Sequence, residues 1–165
     1  MPTDKIIYRS FRKNYGDLRK ILLTPIDVIP VASSDEIISQ TPLRIRALWD
    51  TGATLTAIKP RLKDRLKLRM VRADSSATIA GLGDRIYNAD YSVMTLRLRN
   101  NFEINWCPVY VVDYAVDVDI IIGMDIISMG DLIISNSNRK TLFSFIMPSI
   151  PESLDLTEKA YFLNR

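Results

Sequence analysis

Apolar and polar residues alternate along this chain in short bursts, the period of strands with one face in a core, and follow the helical period only briefly. The clearest burst is Leu43-Arg44-Ile45-Arg46-Ala47-Leu48-Trp49, where Leu43, Ile45, Ala47 and Trp49 alternate with two arginines. It predicts a half-buried strand that runs straight into Asp50. Upstream, Pro25 to Val31 alternates in part, and its prolines predict an edge strand, because proline cannot donate to a ladder. Ser33-Ser34-Asp35 predicts a turn. Residues 1 to about 20 hold no long period and read as an arm or peripheral hairpin. Beyond Asp50, Pro60 to about Leu68 predicts a helix. Proline suits its first position, Leu62 and Leu66 share a face, and Lys63, Arg65, Lys67 and Arg69 turn to water.

In the second half, Ala77-Thr78-Ile79-Ala80 and Arg85 to Arg99 flank Gly81-Leu82-Gly83-Asp84, a hairpin-turn sequence whose glycines accept positive φ. The return limb alternates Val93, Thr95 and Arg97 with Met94, Leu96 and Leu98. Asn100-Asn101 predicts a turn, Pro108 to Val112 a strand, and Asp119 to Ile122 a short buried strand ended by Gly123. Met124 to Met129 reads as a short helix before Gly130. Leu132 to Ser135, Asn136-Ser137-Asn138 and Lys140 to Ile146 read as a closing hairpin. Many short strands with one or two short helices predict an all-β fold, a closed barrel, without repeats or a second domain.

Length and composition narrow the chemistry. At 165 residues and 47% apolar, the chain can bury one real core. It has no histidine, which removes Ser-His and Cys-His nucleophiles and histidine-based zinc sites together. Catalysis here must use carboxylates, Lys, Tyr or the single thiol. That lone cysteine, Cys107, excludes an internal disulfide framework and, with no signal-peptide pattern at the start, favours a reducing cytosol. No apolar run approaches the roughly 20 residues that cross a bilayer. The net charge of +3 gathers near the N-terminus and from Lys59 to Arg72. This basic face could attract nucleic acid or acidic peptides, and equally reads as a solvated helix face plus a polar arm.

The stretch richest in chemistry is Asp50-Thr51-Gly52-Ala53-Thr54, a carboxylate at a strand end followed by a turn of small residues. The Asp-Thr-Gly triplet occurs once, whereas an apolar-apolar-glycine element, Ile121-Ile122-Gly123, follows further on. With Ala47-Leu48-Trp49 before it and Ile79 to Gly83 in between, this set resembles the retroviral-type aspartic proteases, the retropepsins, particularly their single-domain bacterial kind. The resemblance runs from about Ile45 to Ile146 and takes in Met124-Asp125-Ile126-Ile127, Gly130-Asp131 and Phe143-Ser144-Phe145. It implies a dimeric barrel with one catalytic Asp per protomer. The expected organisation is an N-terminal arm and edge strand over 1–40, the protease domain over 41–148 and a tail over 149–165.

What the resemblance implies is a homodimeric aspartic endopeptidase, with neither cofactor nor metal. Two copies of Asp50 would share one proton, since like charges about 3 Å apart cannot both ionise, and would activate a water against an extended peptide. A two-fold dimer supplies the second carboxylate. Thr51 would bond across the dimer axis and Gly52 would leave room for its N–H to approach the carboxylates. Ala53, Thr54, Ile79, Ala80, Gly81, Leu82, Gly83 and Ile122 would meet substrate, the glycine hairpin acting as a flap. Ile121 and Gly123 would support the loop from beneath, and apolar residues are expected around the cleaved bond. Ala53 lacks the hydroxyl with which a serine would favour the charged carboxylate, so an optimum nearer neutral is expected, and one at about pH 2 would contradict it.

Two departures stand out. Thr54 replaces the acidic residue usual in retroviral enzymes, and Met124 replaces their arginine. Other readings of the same residues are blander. Asp-Thr-Gly is also an ordinary turn sequence. Gly81-Leu82-Gly83 fails the dinucleotide fingerprint because position 86 is Ile. Asp113, Asp117, Asp119 and Asp125 could suggest a cation site, but their spacing fits no calcium loop and suits strand edges and turns. Cys107 reads as a small buried hydrophobe. The alternative function is a catalytically silent module on the same barrel, binding peptide, or binding nucleic acid through the Lys59–Arg72 face. The scattered aromatics argue against single-strand nucleic-acid binding.

Overall fold

The computed structural model describes residues 5–31, 41–71, 90–152 and 154–163. The strand set begins with β1 (Arg9–Asn14), β2 (Leu22–Pro30), β3 (Leu43–Trp49) and the two-residue β4 (Ala57–Ile58). It continues with β5 (Tyr91–Arg97), β6 (Glu103–Val111), β7 (Ile120–Ile122), β8 (Asp131–Ser135) and β9 (Leu142–Met147). Six of these close a barrel in the order β2-β3-β7-β4-β6-β5, and the other three form a sheet in the order β1-β9-β8. The all-β barrel expected from the alternation is therefore present.

The sheet packs on the barrel through aromatic side chains. Phe11 from β1 and Phe143 and Phe145 from β9 meet Trp49 at the end of β3, with ring centroids 5.1 to 5.7 Å apart. The Trp49 indole N–H donates to the buried Thr24 hydroxyl at 2.8 Å, so its one polar atom is satisfied inside the core. The residue that precedes Asp50 is thus locked by packing on one side and a hydrogen bond on the other.

Two expectations for the N-terminal part are corrected. Arg9–Asn14 is a strand pairing antiparallel with β9, not an arm or peripheral hairpin. Its partner lies some 130 residues away, and one buried Phe11 in the stretch gives no local period. β2 is a barrel strand, not an edge, pairing with β3 over Leu22–Val28 and with β5 over Asp27–Pro30. Pro25 is tolerated because it falls where β2 has β3 as its sole neighbour, so no second ladder needs its missing N–H.

Helix α1 (Pro60–Leu66) starts on proline as expected and stops at Lys67, whose left-handed backbone (φ 49°) returns its N–H to the carbonyls of Lys63 and Asp64. Helix α2 (Met124–Ile127) is one turn long and begins directly after Gly123. A third helix, α3 (Leu156–Leu163), occupies the segment expected to be a plain tail. No helix among the described residues is long and apolar enough to cross a membrane.

Candidate active site

Strand β3 delivers Asp50, and β7 holds that strand in place. The two run parallel in the register Ala47↔Ile120, Leu48↔Ile121 and Trp49↔Ile122, and the Asp50 N–H extends the ladder by donating to the Ile122 carbonyl at 3.0 Å. The chain then turns tightly. Asp50 Oδ1 accepts from the Gly52 N–H at 2.8 Å, and the Asp50 carbonyl accepts from the Ala53 N–H at 3.2 Å. One carboxylate oxygen is thereby oriented by backbone while the side chain stays partly open to solvent. Thr51 and Gly52 are exposed at the tip.

A second loop is stitched to the first. The N–H groups of Met124 and Asp125 donate to the carbonyls of Ala53 and Thr54, at 2.8 and 3.1 Å. Between them lies a polar network around Thr56, which is fully buried. Its N–H and hydroxyl donate to the two oxygens of Asp125 at 2.9 and 2.8 Å, and the hydroxyl accepts from the Gly123 N–H at 3.1 Å. The Ile126 N–H adds a further donor to Asp125, at 2.9 Å. Thr56 and Asp125 were missed as site residues. The signal for Asp125 was its place in the first turn of a helix, where a carboxylate meets free N–H groups.

This network makes a prediction. Thr56→Val keeps the shape but leaves the Gly123 N–H without its acceptor and Asp125 without one donor, each costing about 1–3 kcal/mol. A melting temperature lower by roughly 4 °C or more is expected, and an unchanged melt would mean the network does not stabilise the fold.

Glycine at 123 is required by space. Its backbone is extended (φ −94°), but a Cβ there would lie 2.6 Å from the carbonyl carbon and oxygen of Leu55. At Gly52 a Cβ would meet only Asp50 Oδ1, at 3.2 Å.

Alternation sorts the apolar side chains near Asp50 onto two faces. Ala47, Trp49, Ile58, Ile120 and Ile122 belong to the main core. Ala53, Ala57, Val112, Tyr114, Val118 and Ile121 form a separate cluster, with Leu23, Leu48, Leu55 and Tyr110 packed against it. Ile122, expected to meet substrate, is thus fully buried in the core, while Ile121, expected to be support, shares the cluster of Ala53. A one-residue step along a strand reverses the face. Thr54 is exposed, and Ile79, Ala80, Gly81, Leu82 and Gly83 lie outside the described residues.

Beside Asp50 opens a cavity of about 400 Å³ whose walls include Leu48, Thr51, Val116, Leu132 and Ile134, with Arg19 and Lys20 at its rim. Elsewhere, Asp117 and Asp119 both pair with Arg61 at 3.1 Å. Cys107 is buried, and burial pushes its thiol up to about 12, which leaves it protonated and inert. Burial also pushes the Tyr114 phenol upward, so it remains a neutral O–H. Its hydroxyl has no hydrogen-bond partner among the described residues, and Lys59 Nζ sits 5.3 Å from the ring centroid.

A family model described as aspartyl protease matches residues 37–126, the span that holds the Asp50 turn, Thr56 and Gly123. Among curated proteins no sequence matches significantly. Among solved structures, the crystal structure of a retropepsin-like aspartic protease from Rickettsia conorii superposes with a TM-score of 0.51 at 10% identity, over 88% of this chain and 98% of that one. This is a likeness of fold. EIAV protease complexed with the inhibitor HBY-793 is 22% identical over 67% of this chain and 88% of its own, with a TM-score of 0.44.

Proposed function

The chain belongs to the aspartyl protease family and is an aspartic endopeptidase, and from that premise we propose that it acts as a homodimer in which two copies of Asp50 form the catalytic pair. The observation that carries this reading is the Asp50 turn itself: a lone, partly exposed carboxylate whose Oδ1 is held by the Gly52 N–H at 2.8 Å. One copy takes a proton from a water as that water attacks the scissile carbonyl carbon, and the other donates its proton to the carbonyl oxygen. Collapse of the diol then protonates the leaving amine and returns the pair to its starting state. The backbone donors keep each carboxylate in place, so little reorganisation is needed. Thr51, exposed beside Asp50, reaches across the two-fold axis. The Gly81-Leu82-Gly83 hairpin closes over an extended peptide, and Ala53 and Thr54 line its path, with Ile121 taking the wall position first given to Ile122. The lone buried Cys107 suits a reducing cytosol.

The surface around Asp50 supports the dimer. Ile21, Val116 and Ile134 are 54%, 43% and 48% exposed, and all three line the cavity that Asp50 lines. Among the described residues β8 is an edge of its sheet, which leaves one side of its backbone for a second copy. Ile134→Asp is therefore expected to weaken self-association by about 2 kcal/mol, roughly thirtyfold, as for an interface anchor. Sedimentation equilibrium reads the association, and specific activity should fall on dilution in parallel. Full activity of a strictly monomeric species would refute the shared pair.

A further inference from the structure

On β6 a tryptophan stands where glycine is the usual residue. Between the pairs Met94↔Cys107 and Leu96↔Ile104, β5 supplies one residue, Thr95, and β6 supplies two, Asn105 and Trp106. This is a β-bulge, and Trp106 takes a left-handed backbone there, at φ 58°. Glycine adopts that conformation without strain, whereas a bulky side chain is strongly disfavoured in it. Packing within the chain does not offset the strain, because Trp106 is 70% exposed. A large ring held outward on such a backbone points to a contact with something other than its own chain.

Trp106 lines a cavity of about 320 Å³ together with Pro108 and Tyr110, which follow it on the outward face of β6. The Tyr110 ring is steadied by Tyr91 across the strand pair, with centroids 5.9 Å apart. Leu55, Ile126 and Met129 add further apolar lining. Among the described residues Asp125 is the one charged side chain at this cavity, and it is partly exposed. It makes no ion pair among those residues. A carboxylate offers about four acceptor sites. Oδ1 takes the Thr56 hydroxyl and the Ile126 N–H, and Oδ2 takes the Thr56 N–H, which leaves one site open on Oδ2. This cavity shares no lining residue with the one beside Asp50.

These features select one kind of occupant. An aliphatic stem suits Leu55, Ile126 and Met129, and a cationic head is attracted to the faces of Trp106 and Tyr110. The open site on Asp125 then accepts one charge-assisted N–H. An anion would be repelled there, and a purely apolar group would leave the acceptor unmatched. We propose that this cavity is a docking site, separate from the cleaving centre, for a lysine or arginine side chain of a partner protein. Such a site tethers the partner without occupying the Asp50 turn.

The chain has two tryptophans, and Trp49 is 4% exposed, so an event at Trp106 can be read by fluorescence. The probes are acetyl-Gly-Arg-Gly-amide and acetyl-Gly-Lys-Gly-amide, with the citrulline peptide as an uncharged match for arginine. Titrated into the full chain, at least one basic peptide should change the emission saturably. Its dissociation constant should lie about tenfold or more below that of the citrulline peptide. Trp106→Gly should abolish both this response and the heat of binding seen by calorimetry. The variant's melting temperature should equal or exceed the parent's, because glycine relieves the left-handed strain. No saturation by either basic peptide, equal binding of citrulline, or binding that survives Trp106→Gly overturns the proposal. A variant that melts lower than the parent overturns it too, since Trp106 would then be held for the fold. All of these outcomes leave the Asp50 assignment untouched.

Discussion

Asp50→Asn is expected to abolish peptide cleavage while the fold stands. The amide oxygen of asparagine can still accept the Gly52 N–H that Asp50 Oδ1 accepts at 2.8 Å, and the position is partly solvated, so the turn keeps its shape. What is lost is the ability to take and return a proton, and in the proposed homodimer it is lost from both copies at once. A drop of at least about 10³-fold is expected, within the range that positioned acid–base groups supply. The measurement is digestion of a mixed peptide library between about pH 4 and 7 by parent and variant side by side, with thermal melts of both. Cleavage by the parent alone, with melts that coincide, supports the enzyme. Equal silence from both would support a binding module on the same barrel.

The second large effect belongs to Gly123→Ala. Conformational freedom is not the issue, since the residue is extended and other residues adopt that backbone readily. The added methyl would sit 2.6 Å from both the carbonyl carbon and the oxygen of Leu55, and 3.0 Å from the carbonyl oxygen of Ala53. These are backbone atoms of the Asp50 loop, so no rotamer relieves the contact. The two loops must part, and the bonds from Met124 N–H to Ala53 and from Gly123 N–H to Thr56 stretch with them. A loss of about 3 kcal/mol or more is expected, lowering the melting temperature by roughly 6–12 °C. Activity should fall further than stability does, because Asp50 hangs from the same loop. Gly52→Ala is the control: its nearest contact is a side-chain oxygen at 3.2 Å, which can yield by a few tenths of an ångström. Equal melts for the two variants would show that crowding at Leu55 is not what excludes a side chain at 123.

Much of the site was legible because it is written in adjacent residues. The alternation of Leu43 to Trp49 announced β3 and its face, and the Asp50 turn followed directly from it. Ile120 to Gly123 read as a short buried strand with a stop, and the closing hairpin of β8 and β9 fell where turn residues separate two apolar runs. The Thr56–Asp125 network was not legible as a network, since its members stand 69 positions apart and each is an ordinary loop or helix-start residue in its own neighbourhood. The faces of Ile121 and Ile122 were also beyond reach. In a run of three isoleucines every position is apolar, so the period that elsewhere separates inside from outside carries no information.

Taken alone, the order of residues determined an alternating, barrel-forming chain, the absence of imidazole chemistry, and a single strand-end carboxylate on a small-residue turn. Those properties are local, arising from side-chain period, residue type and turn preference, and they need no knowledge of what lies opposite. Only the tertiary structure decided that β1 joins β9 and that β2 closes the barrel against β5. It alone showed that a buried Thr56 ties the Asp50 loop to Asp125, and that Tyr114 stands beside that loop with its hydroxyl unmatched among the described residues. Each of these depends on partners far away in the chain. Bringing such partners together is governed by burial and hydrogen-bond satisfaction over the whole domain, and no window of neighbouring residues carries that information.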